Sequence, residues 1–207
     1  MPTILLASSS PRRKDLIRQI HWEAVIQKSR FAEVPTPEEA ARRRFSPEAS
    51  RLLAAFTGPD LVCVVNALGK GADVKKRSES SLPVVGADTI VTLDGRILGK
   101  PENREEAAEM LRFLSGRRHM VKTGVALLYG EQVLVRVETT EVSFRSLQEK
   151  EIQAYVSSGE PMDKAGAYGI QGLGTLLVQS IHGSYDNVVG LPLVLLYEMM
   201  KEAGAIS

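Results

Sequence analysis

Val84-Val85-Gly86-Ala87-Asp88-Thr89-Ile90-Val91, returning after a turn as Ile97-Leu98-Gly99-Lys100-Pro101, is the stretch around which the chain is organised. Its first half is a short apolar run rich in β-branched residues, the pattern of a buried strand. One acid interrupts that run. Burying an unpaired carboxylate costs several kcal/mol, roughly, so Asp88 needs a partner or a ligand. Gly86 and Ala87 leave room beside it for a ligand or another backbone to come close. Asp94-Gly95 has the chemistry of a tight hairpin turn, and the returning strand ends on Lys100, which brings a cation back towards the acid. Two readings stand at this point: a charged site on a strand, or an acid that caps a turn or pairs with a core arginine.

The start of the chain has the same character. Thr3-Ile4-Leu5-Leu6-Ala7 predicts a strand, and Ser8-Ser9-Ser10-Pro11-Arg12-Arg13 leads from it into a helix carrying Leu16, Ile17 and Ile20. Ser10 is placed as N-cap and Pro11 as the first helical residue, both favoured there. Backbone N–H groups, hydroxyls and two guanidinium forks within one turn suit an anion such as phosphate. An ordinary capped helix with solvated arginines is the alternative.

Residues 22–28 predict a further strand, with Glu33 just past its end. Residues 36–57 are helix-prone, with Arg42-Arg43-Arg44 expected as a solvated face. Gly58-Pro59-Asp60 breaks that stretch, and a second helix over roughly 60–76 carries Lys70; residues 75–81 form a polar loop. An amphipathic helix with Ala107, Met110, Leu111 and Leu114 on one face ends at Ser115-Gly116. Residues 119–129 and 133–145 predict a long hairpin around Gly130, and Glu149 to Ser157 a helix closed by Gly159. Glu160 to Gly174 is rich in glycine and predicts no regular element, but either mobile surface or backbone approaching a ligand. A last strand over 176–181 and a helix from Leu193 to Lys201 complete the chain. No internal repeat or low-complexity linker is present.

Composition narrows the function classes. The 207 residues are enough for one large domain or two intimate lobes, with 43% hydrophobic and 25% charged residues. Balanced charge, 26 basic against 25 acidic residues, argues against a bulk nucleic-acid or membrane-surface binder. A single cysteine forms no intrachain disulfide, and the three histidines show no structural-zinc spacing with it. No apolar segment approaches a membrane span, and there is no secretory core at the N-terminus. A cytosolic enzyme or binding protein is the expectation.

Ala7-Ser8-Ser9-Ser10-Pro11-Arg12-Arg13, Gly86-Ala87-Asp88-Thr89, Gly99-Lys100-Pro101, Leu114-Ser115-Gly116 with His119, Gly159-Glu160-Pro161 through Gly172, and Asn187-Val188-Val189-Gly190-Leu191-Pro192 closely resemble the Maf family. These are house-cleaning nucleoside triphosphate pyrophosphatases, related in fold to the inosine triphosphatases. The resemblance runs over nearly the whole chain. Residues 34–81 depart from it in length, and Asn66-Ala67-Leu68-Gly69-Lys70-Gly71-Ala72 is similar to the family's Leu-Ala-x-x-Lys-Ala with glycine in place of alanine. Each such glycine lowers helix propensity by about 1 kcal/mol.

The resemblance implies a single α/β domain over 1–207, with a mixed elongated sheet, flanking helices and two lobes around a cleft that holds the active site. It implies hydrolysis between the α and β phosphates of a nucleoside triphosphate, with Mg²⁺ or Mn²⁺. A triphosphate carries about four negative charges, so positioning and electrostatics should dominate catalysis. On this pattern Ser8, Arg13, Lys70 and Lys100 cradle the phosphates. Glu33 and Asp88, hard oxygen donors, hold the cation. Asp88 is also the proton acceptor for the attacking water, and Glu33, Lys70 and Lys100 complete the catalytic set. Arg12, Thr89 and Gln171 match the dTTP/UTP-directed subgroup rather than the methylated-guanine subgroup. A glutamine amide complements both O4 and N3–H of uracil or thymine. His119 is expected to be structural. A cytoplasmic homodimer without nucleic-acid or membrane partners completes the expectation. Two rivals remain: a nucleotide-binding regulator of division or septation with little turnover, and a nucleic-acid binder using Arg12-Arg13, Arg42 to Arg44 and Lys75 to Arg77. The near-neutral charge and the lack of interleaved aromatics disfavour the second.

Overall fold

A computed structural model describes residues 1–206. In chain order the elements are β1 (Thr3–Leu6), α1 (Pro11–Gln19), β2 (Glu23–Ile26), α2 (Pro37–Arg42), α3 (Pro47–Leu53), α4 (Gly58–Arg77), β3 (Val84–Leu93), β4 (Arg96–Leu98), α5 (Arg104–Leu114), β5 (Arg118–Tyr129), β6 (Gln132–Phe144), α6 (Glu149–Ser157), β7 (Val178–His182), α7 (Tyr185–Val189) and α8 (Leu193–Glu202). The described strands form a seven-stranded sheet in the order β2-β1-β3-β5-β6-β7, with β4 beside β3. It is mixed: β1 is parallel to both β2 and β3, whereas β4 pairs antiparallel with β3 and β7 with β6. The expected α/β class with a mixed sheet and flanking helices is what the chain forms. It divides into two compact units.

The first unit comprises Met1–Asp88, Thr123–Glu138 and the chain from Gly190 onward. β1 lies between two parallel neighbours, which is why Ile4, Leu5 and Leu6 are all buried and show no alternation. Against this part of the sheet lies α4, buried from Val62 to Gly71 in a run of apolar and small residues that only Asn66 and Lys70 interrupt. The room left by Gly86 is filled by another backbone: a Cβ there would stand 2.0 Å from the Ala67 carbonyl oxygen. Gly71 lies beside Gly86, and a Cβ on Gly124 would stand 2.5 Å from the Cys63 backbone. The helical glycines therefore do not weaken α4 as propensity suggested. Gly69 makes room for the Phe31 ring and Gly71 for the Leu128 side chain, while the sheet glycines Gly86 and Gly124 let the two backbones approach, and the packing gained offsets the propensity lost.

The segment 36–57 is two short helices rather than one. Thr36-Pro37-Glu38-Glu39 and Ser46-Pro47-Glu48-Ala49 each start a helix, with the Thr36 and Ser46 hydroxyls accepting from the Glu39 and Ala49 amides. Both helices pack on α4 through Ala40, Ala49 and Leu53. Arg43 is exposed as expected, but it is not merely solvated: its guanidinium lies over the Phe31 ring and donates to the Ala32 carbonyl at 2.8 Å.

The second unit comprises Thr89–Lys122 and Thr139–Val189. The β3–β4 turn has positive φ at both Asp94 (51°) and Gly95 (76°), the geometry a two-residue hairpin demands. Its core joins Leu111 and Leu114 of α5 to Val142, Phe144, Ile152 and Tyr168. The glycine-rich segment is more ordered than its composition suggests: single 3₁₀ turns form at Glu160–Asp163, Ala165–Ala167 and Gly172–Leu176. The Glu160 carboxylate pins that segment by accepting from the Leu173 and Gly174 amides and from the Tyr155 hydroxyl. α7 was not anticipated. Its five residues are too few to show helical periodicity.

His119 belongs to this core, 1% exposed, with its Nε2 2.7 Å from the Tyr168 hydroxyl and its ring edge-on to Phe144. Burial lowers its pKa to about 4 from 6.5. Between those values the unfolded chain binds a proton that the folded chain refuses, so stability rises with pH through that window and is lost as pH falls. His119 alone should cost about 3 kcal/mol of stability between pH 7 and pH 4. Urea unfolding at a series of pH values tests this. His119→Gln should flatten the profile between pH 4 and 6.5, and an unchanged slope would remove His119 from the acid response.

Candidate active site

The site is built on one face of α4. Residues 66, 70, 73 and 77 are spaced by three and four, so their side chains line up along the helix. Together they hold the loop that carries Glu33. Arg77 donates to the Lys28 carbonyl at 2.9 Å, and Asp73 accepts from the Ser29 hydroxyl (3.0 Å) and the Arg30 amide (2.8 Å). The hydrogen bond from Arg77 keeps the Asp73 carboxyl well below the usual carboxylate range. Phe31 lies on Gly69, where a Cβ would meet its ring at 2.4 Å. Asn66 closes the series by pairing with both backbone groups of Val34, accepting from its N–H at 2.8 Å and donating to its carbonyl at 3.0 Å. The loop is thus fastened at almost every residue.

That fastening delivers Glu33 to Lys70. The Lys70 ammonium lies 2.8 Å from Glu33 Oε1 and 2.6 Å from Asp88 Oδ1. Asp88 Oδ2 in turn accepts from Asn66 Nδ2 at 3.0 Å. The Lys70 and Asp88 side chains are each 10% exposed and that of Glu33 51%, so the cluster is buried on one side and open on the other. Of the two readings of Asp88, a charge pair is realised, with a lysine rather than an arginine. It is shared with a second acid that faces solvent, which a purely structural pair does not need.

Ser8 and Arg13 stand in the same unit, beyond the carboxyl end of β1. Ser8 Oγ accepts from Arg13 Nη1 at 3.1 Å and from the Ser10 amide at 3.2 Å. Arg13 Nε donates to the Gly190 carbonyl at 2.7 Å. Ser10 occupies the N-cap position, but its side chain makes no cap bond; the hydroxyl used is that of Ser8. Burial pushes the Arg13 pKa down, and the negative charges of Asp88 and Glu33 oppose that shift. Arg12, half-buried beside it, adds repulsion. Ser8, Arg12, Arg13, Glu33, Lys70 and Asp88 are therefore gathered within one unit.

Thr89, Lys100 and Gln171 belong to the second unit. Thr89 follows Asp88 on β3 and is half-buried; Lys100 is exposed just past β4, after Gly99, whose carbonyl accepts from the Gly166 amide. Gln171 is exposed at the head of the last 3₁₀ turn, two and three residues before the Leu173 and Gly174 amides that Glu160 holds. Asn66 is the site residue that sequence reading passed over. A lone amide inside Val62-Cys63-Val64-Val65-Asn66-Ala67-Leu68 is the signal, since a polar group buried in an apolar helix face needs partners.

The donor chemistry suits a divalent cation. Glu33 and Asp88 already grip one cationic group in common, the Lys70 ammonium, and Glu33 opens to solvent. Among the described residues no cluster of three or more His, Cys, Asp or Glu side chains gathers. Two carboxylates completed by water and phosphate oxygens is an arrangement Mg²⁺ accepts.

The family described as Maf-like protein matches residues 3–203 of the chain. Curated relatives span nearly its whole length. A dTTP/UTP pyrophosphatase of Bacillus mycoides (strain KBAB4) is 45% identical over 204 residues, covering 98% of this chain and 96% of the relative. One of Bacillus cereus (strain G9842) is 43% identical over the same shares, and one of Escherichia coli O157:H7 is 43% identical over 211 residues, covering 100% of this chain and 95% of the relative.

Proposed function

The chain belongs to the family of Maf-like proteins, and from that premise we propose that it is a nucleoside triphosphate pyrophosphatase that hydrolyses dTTP and UTP to the monophosphate and pyrophosphate. The observation that carries this reading is the shared grip of Glu33 and Asp88 on Lys70, in the unit where Ser8 and Arg13 also stand. The relatives' activity and substrates support it. No helix among the described residues is long and apolar enough to cross a membrane. The same reading takes the protein as a cytoplasmic homodimer with a house-cleaning role.

In this scheme Ser8, Arg13, Lys70 and Lys100 bind the triphosphate and stabilise charge that develops on the transferred phosphoryl group. Arg13 is held at two points, by Ser8 and by Gly190, so its fork is oriented before substrate arrives. Asp88 orients the attacking water and takes its proton. Glu33 and Asp88 would hold Mg²⁺ or Mn²⁺, which supplies Lewis-acid polarisation and neutralises phosphate charge. A panel of common nucleoside triphosphates, with pyrophosphate as the readout, tests the substrate class. Release from dTTP and UTP well above the rest is expected, and preference for a purine nucleotide would overturn the pyrimidine reading.

Arg12, Thr89 and Gln171 are assigned to reading the nucleoside. Held one way round, the Gln171 amide donates to O4 and accepts from N3–H; reversed, it suits cytosine. Gln171→Glu leaves acceptors only, which repel O4 and accept from an exocyclic amine. It should lose dTTP and UTP activity and gain relatively on CTP, by about 1–3 kcal/mol of discrimination. Side-by-side kinetics on UTP and CTP decide this, and an unchanged ratio would mean that Gln171 does not face the base.

A further inference from the structure

Asn66 sits one helical turn before Lys70, where the pattern Leu-Ala-x-x-Lys-Ala has leucine, and is 2% exposed. Its orientation is fixed from two sides. Oδ1 accepts from the Val34 N–H, and Nδ2 donates both to the Val34 carbonyl and to Asp88 Oδ2. Turned over, the amide would set a donor against a donor and an oxygen against two oxygens. Val34 directly follows Glu33, so one side chain joins the backbone of the first acid to the carboxylate of the second.

We propose that Asn66 is a positioning residue for the pyrophosphatase reaction, tying Glu33 to Asp88 and fixing the orientation of the Asp88 carboxylate. This rests on the function proposed above. Leucine at this place fills the space without reaching either acid, so packing alone does not call for an amide. With Oδ1 engaged by Lys70 and Oδ2 by Asn66, the Asp88 carboxylate is held against rotation. Each oxygen keeps a further lone pair for the reacting water. Partners that orient a functional carboxylate in this way are commonly worth about 10–100-fold.

The test compares steady-state kinetics on dTTP for the wild type, Asn66→Leu and Asn66→Asp, with hydrogen exchange at the Val34 amide and thermal unfolding measured in parallel. Asn66→Asp keeps the shape and the bond from the Val34 N–H, but turns an acceptor towards the Val34 carbonyl and Asp88. We expect kcat to fall about tenfold in the leucine variant and about thirtyfold in the aspartate variant. KM should stay within about twofold, since Asn66 makes no contact assigned to substrate. Exchange at Val34 should accelerate in the leucine variant, and Asn66→Ser replaces whichever variant fails to fold. A kcat within twofold of wild type in folded variants, or a loss carried entirely by KM, overturns the positioning role while leaving the function standing. A wild-type chain that releases no pyrophosphate from either dTTP or UTP overturns the function, and the positioning role with it.

Discussion

Asp88→Asn should lower turnover of dTTP at least about 10²-fold, the low end for removing a general base. The substitution keeps the shape and removes the charge, and the surroundings make it worse than neutral. Asp88 now accepts from Lys70 on one oxygen and from Asn66 on the other. Asn66 cannot turn over to help, because both backbone groups of Val34 hold it. An asparagine at 88 must therefore point its own NH₂ at one of two donors, leaving a buried polar clash worth about 1–3 kcal/mol of stability. The groups proposed to bind phosphate, Ser8 and Arg13 among them, are not altered, so KM should move much less than kcat. Steady-state kinetics together with urea unfolding separate the two effects. Turnover within tenfold of wild type would reduce Asp88 to a structural acid.

Lys70→Met should be comparably damaging for a different reason. The methionine fills the space of the lysine stem but leaves Glu33 and Asp88 converging on an apolar tip. Glu33, half-exposed, can turn to water; Asp88, 10% exposed, cannot. Breaking a buried ion pair from one side costs on the order of 3–5 kcal/mol, because the remaining charge stays desolvated. On the proposed scheme, which assigns Lys70 to the phosphates, turnover should fall about 10²–10³-fold. The stability part is tested by a double-mutant cycle: with Asp88→Asn in the background, Lys70→Met should cost markedly less, since no charge remains to be stranded. Additive losses would show that the two groups do not act as a pair.

Much of this arrangement was legible in the residues, and the illegible parts share a cause. Strand β1, the Asp94-Gly95 hairpin and helix α5 announce themselves through local pattern and turn chemistry, and each forms where that chemistry places it. The break between α2 and α3 was equally local, since Thr36-Pro37-Glu38 and Ser46-Pro47-Glu48 are both helix starts. The backbone approach expected at Gly86 is realised, by the Ala67 carbonyl, whereas Gly69 and Gly71 were undervalued because their worth lies across space: they make room for the Phe31 ring and the Leu128 side chain, and propensity counts only the local loss. Asn66 was missed for the same reason. Its partners are Val34 and Asp88, and nothing within its own helix betrays them. The family pattern drew attention to Glu33, Lys70 and Asp88. It gave no indication that residues 28–34 would be fastened along α4 to bring Glu33 to the other two.

The most direct measurement is a product balance. Purified protein with dTTP and Mg²⁺ should yield dTMP and pyrophosphate in equal amounts, with no dTDP and no inorganic phosphate, and the Asp88→Asn protein should yield almost none. Accumulation of dTDP with inorganic phosphate, or intact dTTP in the presence of folded wild-type protein, would contradict cleavage between the α and β phosphates by this site.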